Sequence, residues 1–145
     1  MNENSYSGQV TPPPTQGNME EEVISVLLID DERDYVNVLA NRMKRRKINA
    51  TKAYNGSSAI QLLRRNDFDV AVLDLKMQDM YGIEVLKVFK KMAPSMPVIM
   101  LTGHGSAEAA REGIREGAFD YLMKPCELEE LIEKIRKAYA SRESA

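Results

Sequence analysis

The sequence has a single cysteine, no long apolar run and no large excess of either charge. Cys126 has no second cysteine to pair with, which fits a reducing, cytoplasmic setting. No apolar stretch approaches the roughly 20 residues that span a bilayer. The first basic residue is Arg33, so we expect neither a membrane span nor a secretory signal. The net charge of -2 provides no general attraction to nucleic acid or anionic lipid.

The first 20 residues differ in composition from the rest of the chain. They contain three consecutive prolines from Pro12, several Ser, Asn, Gln and Gly, and almost no large aliphatic side chains. Such a segment cannot bury enough apolar surface to offset its ordering entropy. We therefore predict a disordered tail over residues 1–20, either without a role or used for docking, and one domain over residues 21–141. A chain of 145 residues that is 43% hydrophobic suffices for a single core.

From Val23 onward, short apolar runs alternate five times with amphipathic helical patterns. Such runs are typical of buried parallel strands, and right-handed crossovers place the helices on both faces of the sheet. The pattern predicts an α/β fold, a doubly wound five-stranded parallel sheet with five helices. Ser57 is the predicted N-cap of the second helix. The predicted strands cover residues 23–29, 49–53, 70–73, 98–101 and 119–123, and the predicted helices about residues 32–46, 57–65, 82–92, 106–115 and 127–139.

Polar residues stand where four of the apolar runs end. Ligands of open parallel sheets bind beyond the carboxyl ends of the strands, so we expect these side chains to meet at one edge. Three carboxylates at close range repel one another, which a divalent cation relieves. Mg²⁺ suits the site better than Ca²⁺, because few carboxylates are supplied and waters must complete an octahedron. The residues are Asp30, Asp31, Asp74, Thr102 and Lys124.

These residue types also indicate individual roles. Asp31 and Asp74 are the expected direct metal ligands, with Asp30 acting nearby through water and the backbone carbonyl of Lys76 as a further ligand. The Lys124 ammonium suits pairing with Asp74 and later with a phosphoryl oxygen. The Thr102 hydroxyl is a donor to the same oxygens. With charge and position arranged in this way, Asp74 is the expected nucleophile and would form an aspartyl phosphate.

Taken together, these segments resemble the receiver domain of bacterial two-component response regulators. The resemblance covers Val23 to about Tyr139, and four motifs in order at strand ends carry it. They are Leu28-Ile29-Asp30-Asp31-Glu32, Leu73-Asp74-Leu75-Lys76-Met77, Leu101-Thr102-Gly103, and Gly117-Ala118-Phe119-Asp120-Tyr121-Leu122-Met123-Lys124-Pro125.

The resemblance implies a flavodoxin-like strand order of 2-1-3-4-5 and a role for each matching residue. Asp74 resembles the phosphoacceptor, Asp30 and Asp31 the acidic pair that holds Mg²⁺, and Thr102 and Lys124 the phosphate-contacting residues. Tyr121 is similar to the switch aromatic, and the Lys124–Pro125 bond is expected to be cis. His104, two residues beyond Thr102, is interpreted as an exposed loop residue.

The same resemblance implies the partners. A histidine kinase or phosphotransfer protein would supply the phosphoryl group, and the domain would catalyse only its own phosphorylation and dephosphorylation. Phosphorylation would then change a protein-interaction surface formed by the fourth helix, fifth strand and fifth helix. A downstream protein target and a homodimer formed on phosphorylation are expected, without direct contact to nucleic acid or membrane.

Three other functions use the same topology. A hydrolase with an aspartate nucleophile usually carries a second acid two residues later, where this chain has Lys76. A flavin-binding module needs a phosphate-cradling loop rich in Gly, Ser or Thr after the first strand, where this chain has Asp30, Asp31 and Glu32. An interaction module that is never phosphorylated often lacks acidic-site residues that this chain retains.

Overall fold

The computed structural model describes residues 22–103 and 107–143. The predicted tail over residues 1–20, His104 and the predicted start of the fourth helix at residue 106 lie outside that part. The five strands are β1 (Ile24–Ile29), β2 (Ile48–Ala53), β3 (Val70–Asp74), β4 (Val98–Thr102) and β5 (Asp120–Met123), and the five helices are α1 (Arg33–Lys44), α2 (Gly56–Arg65), α3 (Gly82–Met92), α4 (Ala107–Arg115) and α5 (Leu128–Glu143).

The strands form one parallel sheet in the order β2-β1-β3-β4-β5. This confirms the predicted doubly wound fold and its strand order. The register aligns the carboxyl ends closely, since Asp74 of β3 lies opposite Leu101 and Thr102 of β4 lies opposite Met123. Among the described helices, none combines the length and apolar character needed to cross a membrane.

The sheet separates two apolar cores, one on each face. On one face, α1 and α5 pack against the strands. On the other face, α2 and α3 provide most of the helix side chains that pack against the strands. All five residues of β3 are buried, as are all five of β4. These two interior strands therefore expose almost no side-chain surface and act as a rigid base for the residues at their carboxyl ends.

Several element bounds differ from the prediction. Asp74 and Thr102 are the last residues of β3 and β4 rather than the first residues after them, because each stays paired with the neighbouring strand. The predicted cap Ser57 is wrong: Asn55 has the extended backbone of an N-cap, and its side chain accepts a hydrogen bond from Ser58 N at 2.8 Å. Helix α1 ends earlier, at Lys44, and α5 continues to Glu143.

Gly82, the first residue of α3, lies directly against the chain that follows β3. Its N–H donates to the carbonyl of Leu75 at 2.9 Å. A Cβ atom at this position would lie 2.5 Å from Leu75 Cα and 2.8 Å from the carbonyl oxygen of Asp74. Both are backbone atoms that cannot rotate away, so the absence of a side chain lets α3 approach the end of β3.

We therefore expect Gly82→Ala to destabilise the domain by roughly 1–3 kcal/mol, although alanine is the better helix former. The measurement is urea unfolding followed by circular dichroism. Gly103→Ala is the matched control, because a Cβ there meets no heavy atom within 4 Å. Equal stabilities for the two variants would contradict the close approach.

Candidate phosphoacceptor site

The ends of β1 and β3 bring three acidic side chains together. Asp30 follows β1 directly and is fully buried, Asp31 is half-buried, and Asp74 at the end of β3 is only 6% exposed. One carboxylate oxygen from each lies within 4.8 Å of the other two. The predicted acidic edge therefore exists as one cluster, with spacing that suits oxygen ligands around a single divalent cation.

Lys124 places its ammonium group among these acids. It follows β5, and its cis peptide bond to Pro125 agrees with the expectation. Its Nζ donates to Asp30 Oδ2 at 2.7 Å and lies 3.3 Å from Glu32 Oε1 and 3.7 Å from Asp74 Oδ1. The nearest partner is thus Asp30 rather than the predicted Asp74, because the buried Asp30 has one oxygen free after the other accepts from Glu32 N–H at 3.0 Å.

The surroundings of Lys124 keep it charged. Burial alone would lower its pKa, but the hydrogen bond to Asp30 and the negative charge of Asp74 outweigh burial and raise it. The ammonium also lies 4.8 Å from the centroid of the Tyr35 ring, within the range of a cation–π contact. Burial, with smaller contributions from neighbouring charges, raises the pKa of Tyr35 to about 12, so this ring stays neutral.

The pKa of Asp74 is clearly raised. Burial and the negative charge of Asp30 raise its pKa to about 6. The opposing effects of Lys124 and of the hydrogen bond from the Lys76 backbone N–H are too small to restore the ordinary value. At neutral pH Asp74 is therefore mostly ionised but poorly compensated, a condition that favours binding of a cation.

A cavity of about 610 Å³ opens beside this cluster. Its lining combines acidic and basic side chains with the less polar Tyr35, Pro125 and Cys126. Lys76 also lines the cavity, although the use of its backbone carbonyl as a metal ligand stays a prediction. The complete lining is Asp31, Glu32, Tyr35, Asp74, Lys76, Gly103, Lys124, Pro125 and Cys126.

Thr102 and Tyr121 lie apart from this cavity in the described structure. Thr102 is fully buried, and its Oγ1 donates to Met123 Sδ at 3.0 Å, while no hydrogen bond from it to the acids is found among the described residues. The backbone still ties it to the site, because Lys124 N–H donates to its carbonyl at 2.6 Å. Tyr121 is 39% exposed on the edge strand β5. Their predicted switch roles therefore require a rotation of each side chain.

Sequence reasoning missed Asp79, which fastens the loop after β3. Its carboxylate accepts hydrogen bonds from Gly56 N–H at 2.9 Å and from Ser57 N–H and Oγ at 3.1 Å. The Gly56 bond, offset in part by burial and reinforced by the Ser57 bonds, lowers the pKa of Asp79. The start of α2 thus anchors the loop that leads from Asp74 to α3. The sequence around Asp79 shows only an acidic residue in a loop, which does not predict its hydrogen bonds to the start of α2.

Comparisons with known proteins agree with this arrangement. The model of the response regulator receiver domain matches residues 26–136, most of the chain. The chain belongs to the response regulator receiver domain family. This receiver domain is 34% identical over 117 residues to the transcriptional regulatory protein ZraR of Salmonella typhimurium, covering 81% of this chain and 26% of ZraR. It is 36% identical over 118 residues to an NtrX-like response regulator of Rickettsia bellii, covering 80% of this chain and 25% of that protein.

Solved structures agree at the level of the fold. The receiver domain from Clostridium thermocellum matches with a TM-score of 0.80 and 30% identity, covering 83% of this chain and 98% of that one. The receiver domain of Francisella response regulator 1452 matches with a TM-score of 0.76 and 33% identity, covering 81% and 98%. The receiver domain described here spans about a quarter of the length of the curated relatives it matches.

The raised pKa of Asp74 predicts a pH-dependent stability. Its pKa rises from 3.8 to about 6 on folding, so ionised Asp74 destabilises the folded state increasingly as pH rises through this interval. In metal-free buffer, we expect Asp74→Asn to be more stable than the wild type above pH 7 by roughly 1–2 kcal/mol, with allowance for solvent screening. The difference should vanish below about pH 4. Urea unfolding across this pH range measures it.

The control for this series is Asp67→Asn, which removes an exposed loop carboxylate outside the acidic cluster. It should leave the pH profile unchanged. An Asp74→Asn variant that is less stable than the wild type at pH 8 would show that the carboxylate is well compensated in the folded protein.

Proposed function

We propose that Asp74 accepts a phosphoryl group from a histidine kinase or phosphotransfer protein in a Mg²⁺-dependent reaction. The observation that carries this proposal is the position of Asp74. It ends a fully buried strand, lines the cavity, and lies within 3.7 Å of the only ammonium found in the described acidic cluster. A carboxylate nucleophile needs this combination of fixed position and access.

The donor set fits a hard divalent cation. Asp30, Asp31 and Asp74 offer three carboxylate oxygens at close range. Burial and the negative charge of Asp30 raise the pKa of Asp74, and Lys124 does not fully offset them. Asp31 and Asp74 are the proposed direct ligands, with the Lys76 carbonyl as a third and Asp30 acting through water. When bound, Mg²⁺ would supply positive charge to the phosphoryl oxygens and to the attacking carboxylate.

The protein's own groups account for the remaining requirements. Asp74 is mostly ionised above pH 7, so a carboxylate oxygen can bond to phosphorus as the bond to the donor nitrogen breaks. Lys124 keeps its charge and has three donors, so it can turn from Asp30 toward a phosphoryl oxygen near Asp74. Thr102 would add its hydroxyl after rotating away from Met123.

The surface formed by α4, β5 and α5 is the proposed output surface. Large apolar side chains are exposed there, on α4, directly before β5 and on β5 itself, which is a strand at the edge of the sheet. Rotation of Thr102 and Tyr121 would alter this surface, which supports the proposal of a protein target or of a homodimer formed on phosphorylation. The exposed side chains are Ile114, Phe119, Tyr121 and Met123, between 38% and 43% exposed.

Beryllofluoride with Mg²⁺ tests the proposal, because it mimics a phosphoryl group on a carboxylate without turnover. We expect it to shift the amide NMR signals of Gly103, Tyr121 and Lys124 in the wild type and not in Asp74→Asn. Acetyl phosphate should add the mass of one phosphoryl group to the wild type only. Asp67→Asn is the control and should respond as the wild type does. A wild type that responds to neither reagent, or an Asp74→Asn variant that still responds, would reject the proposal.

Lys124→Gln tests the role of the ammonium. It retains a hydrogen-bond donor but removes the charge, so we expect phosphorylation by acetyl phosphate to slow by about a hundredfold. Lys137→Gln is the control, because Lys137 is an exposed lysine of α5 whose near partner is Glu133 in the same helix. Equal rates for Lys124→Gln and wild type would remove Lys124 from the proposed mechanism.

A further inference from the structure

The Thr102 hydroxyl has a specific partner on the neighbouring strand. Thr102 and Met123 are paired residues in the register of β4 and β5, so their side chains lie on the same face of the sheet. The hydroxyl donates to Met123 Sδ at 3.0 Å. Thr102 is fully buried, and no other hydrogen bond of this hydroxyl is found in the described part of the chain. The thioether therefore determines the direction in which the hydroxyl points.

We propose that Met123 is a positioning residue that holds the Thr102 hydroxyl away from Asp74. It would thereby set the free energy that phosphorylation must supply to move this hydroxyl. This inference rests on the proposed function, because it concerns the hydroxyl expected to contact the phosphoryl group. It adds a competing acceptor on β5, one residue before Lys124. Phosphorylation of Asp74 would have to draw the hydroxyl off this sulfur.

The relative strengths of the two acceptors, the Met123 sulfur and a phosphoryl oxygen, determine how readily the Thr102 hydroxyl moves from one to the other. A thioether sulfur is a weak acceptor, while a buried hydroxyl without any partner is costly. The sulfur is therefore strong enough to bias the resting rotamer but weaker than the charge-assisted bond that a phosphoryl oxygen offers. Threonine is branched at Cβ and occupies discrete χ1 wells, so the hydroxyl moves between two acceptors rather than sharing them.

The same residue connects the site to the surface. Met123 and Tyr121 lie two residues apart on β5, so they share a face of the strand, and each is 39% exposed. When the hydroxyl leaves, the Met123 side chain loses its polar contact and can repack beside Tyr121. A change at the acidic site would thus reach the proposed output surface through one strand.

Two substitutions with opposite expected effects test the proposal. Met123→Leu keeps apolar volume but removes the acceptor, so beryllofluoride with Mg²⁺ should bind roughly two- to fivefold more tightly than in the wild type. Met123→Gln replaces the sulfur by a stronger amide oxygen acceptor, so binding should weaken by a similar factor. Titrations followed by NMR of the Gly103 amide provide both affinities.

Three controls separate positioning from packing. Met92→Leu changes a methionine of similar exposure, 37%, at the end of α3 and should leave the affinity unchanged. In a Thr102→Val background the Met123 substitutions should also lose their effect, because no hydroxyl remains to be held. With methyl-labelled methionine, the Met123 methyl signal should shift on binding in the wild type but not in Thr102→Val.

The outcomes distinguish this inference from the proposed function. A wild type that does not bind beryllofluoride overturns the proposed phosphoacceptor role itself. A wild type that binds, together with Met123→Leu and Met123→Gln that change affinity in the same direction or not at all, overturns only the role of Met123. Effects that persist undiminished in the Thr102→Val background overturn it as well.

Discussion

The repulsion among three carboxylates held within 4.8 Å of one another is the constraint on which this structure depends. At such distances each like-charge pair is unfavourable by several kcal/mol at a moderate effective dielectric. Two buried strands and the turns that follow them hold the acids in place, and Lys124 offsets part of their charge. The apolar cores on the two faces of the sheet supply the stability against which this repulsion acts.

Contacts around the acidic edge restrict the backbone there. Gly82 brings α3 against the carbonyl of Asp74, Asp79 ties the following loop to the start of α2, and the N–H of Lys124 bonds the end of β4. The first contact joins consecutive elements, and the other two join elements that are more than 20 residues apart in sequence. These contacts limit how far the backbone can move to separate the acids, so the remaining charge imbalance favours the binding of a cation.

The doubly wound fold and the convergence of the acids could be predicted because both follow from simple periodicity, whereas the strand order was implied by the family resemblance. Five apolar runs separated by helical patterns define the sheet, and a polar residue at the end of a run lies at its carboxyl edge. The capping role of Asn55 and the bonds of Asp79 and Met123 could not be predicted in this way. They depend on which of several nearby polar atoms a side chain reaches, and sequence spacing does not specify that direction. Lys124 illustrates the limit: its place at the edge follows from β5, but its preference for Asp30 follows from burial.

That preference makes the three acids chemically unequal. Asp30 is fully buried, yet both of its oxygens have a donor, Glu32 N–H and the Lys124 ammonium. Asp31 is half-buried. Asp74 is nearly as buried as Asp30 but relies on one backbone N–H and an ammonium 3.7 Å away, which leaves its pKa near 6. Asp74 thus combines a raised pKa with a position at the end of a fully buried strand, and this combination of electrostatic need and fixed position supports the proposal that Asp74 is the reactive carboxylate.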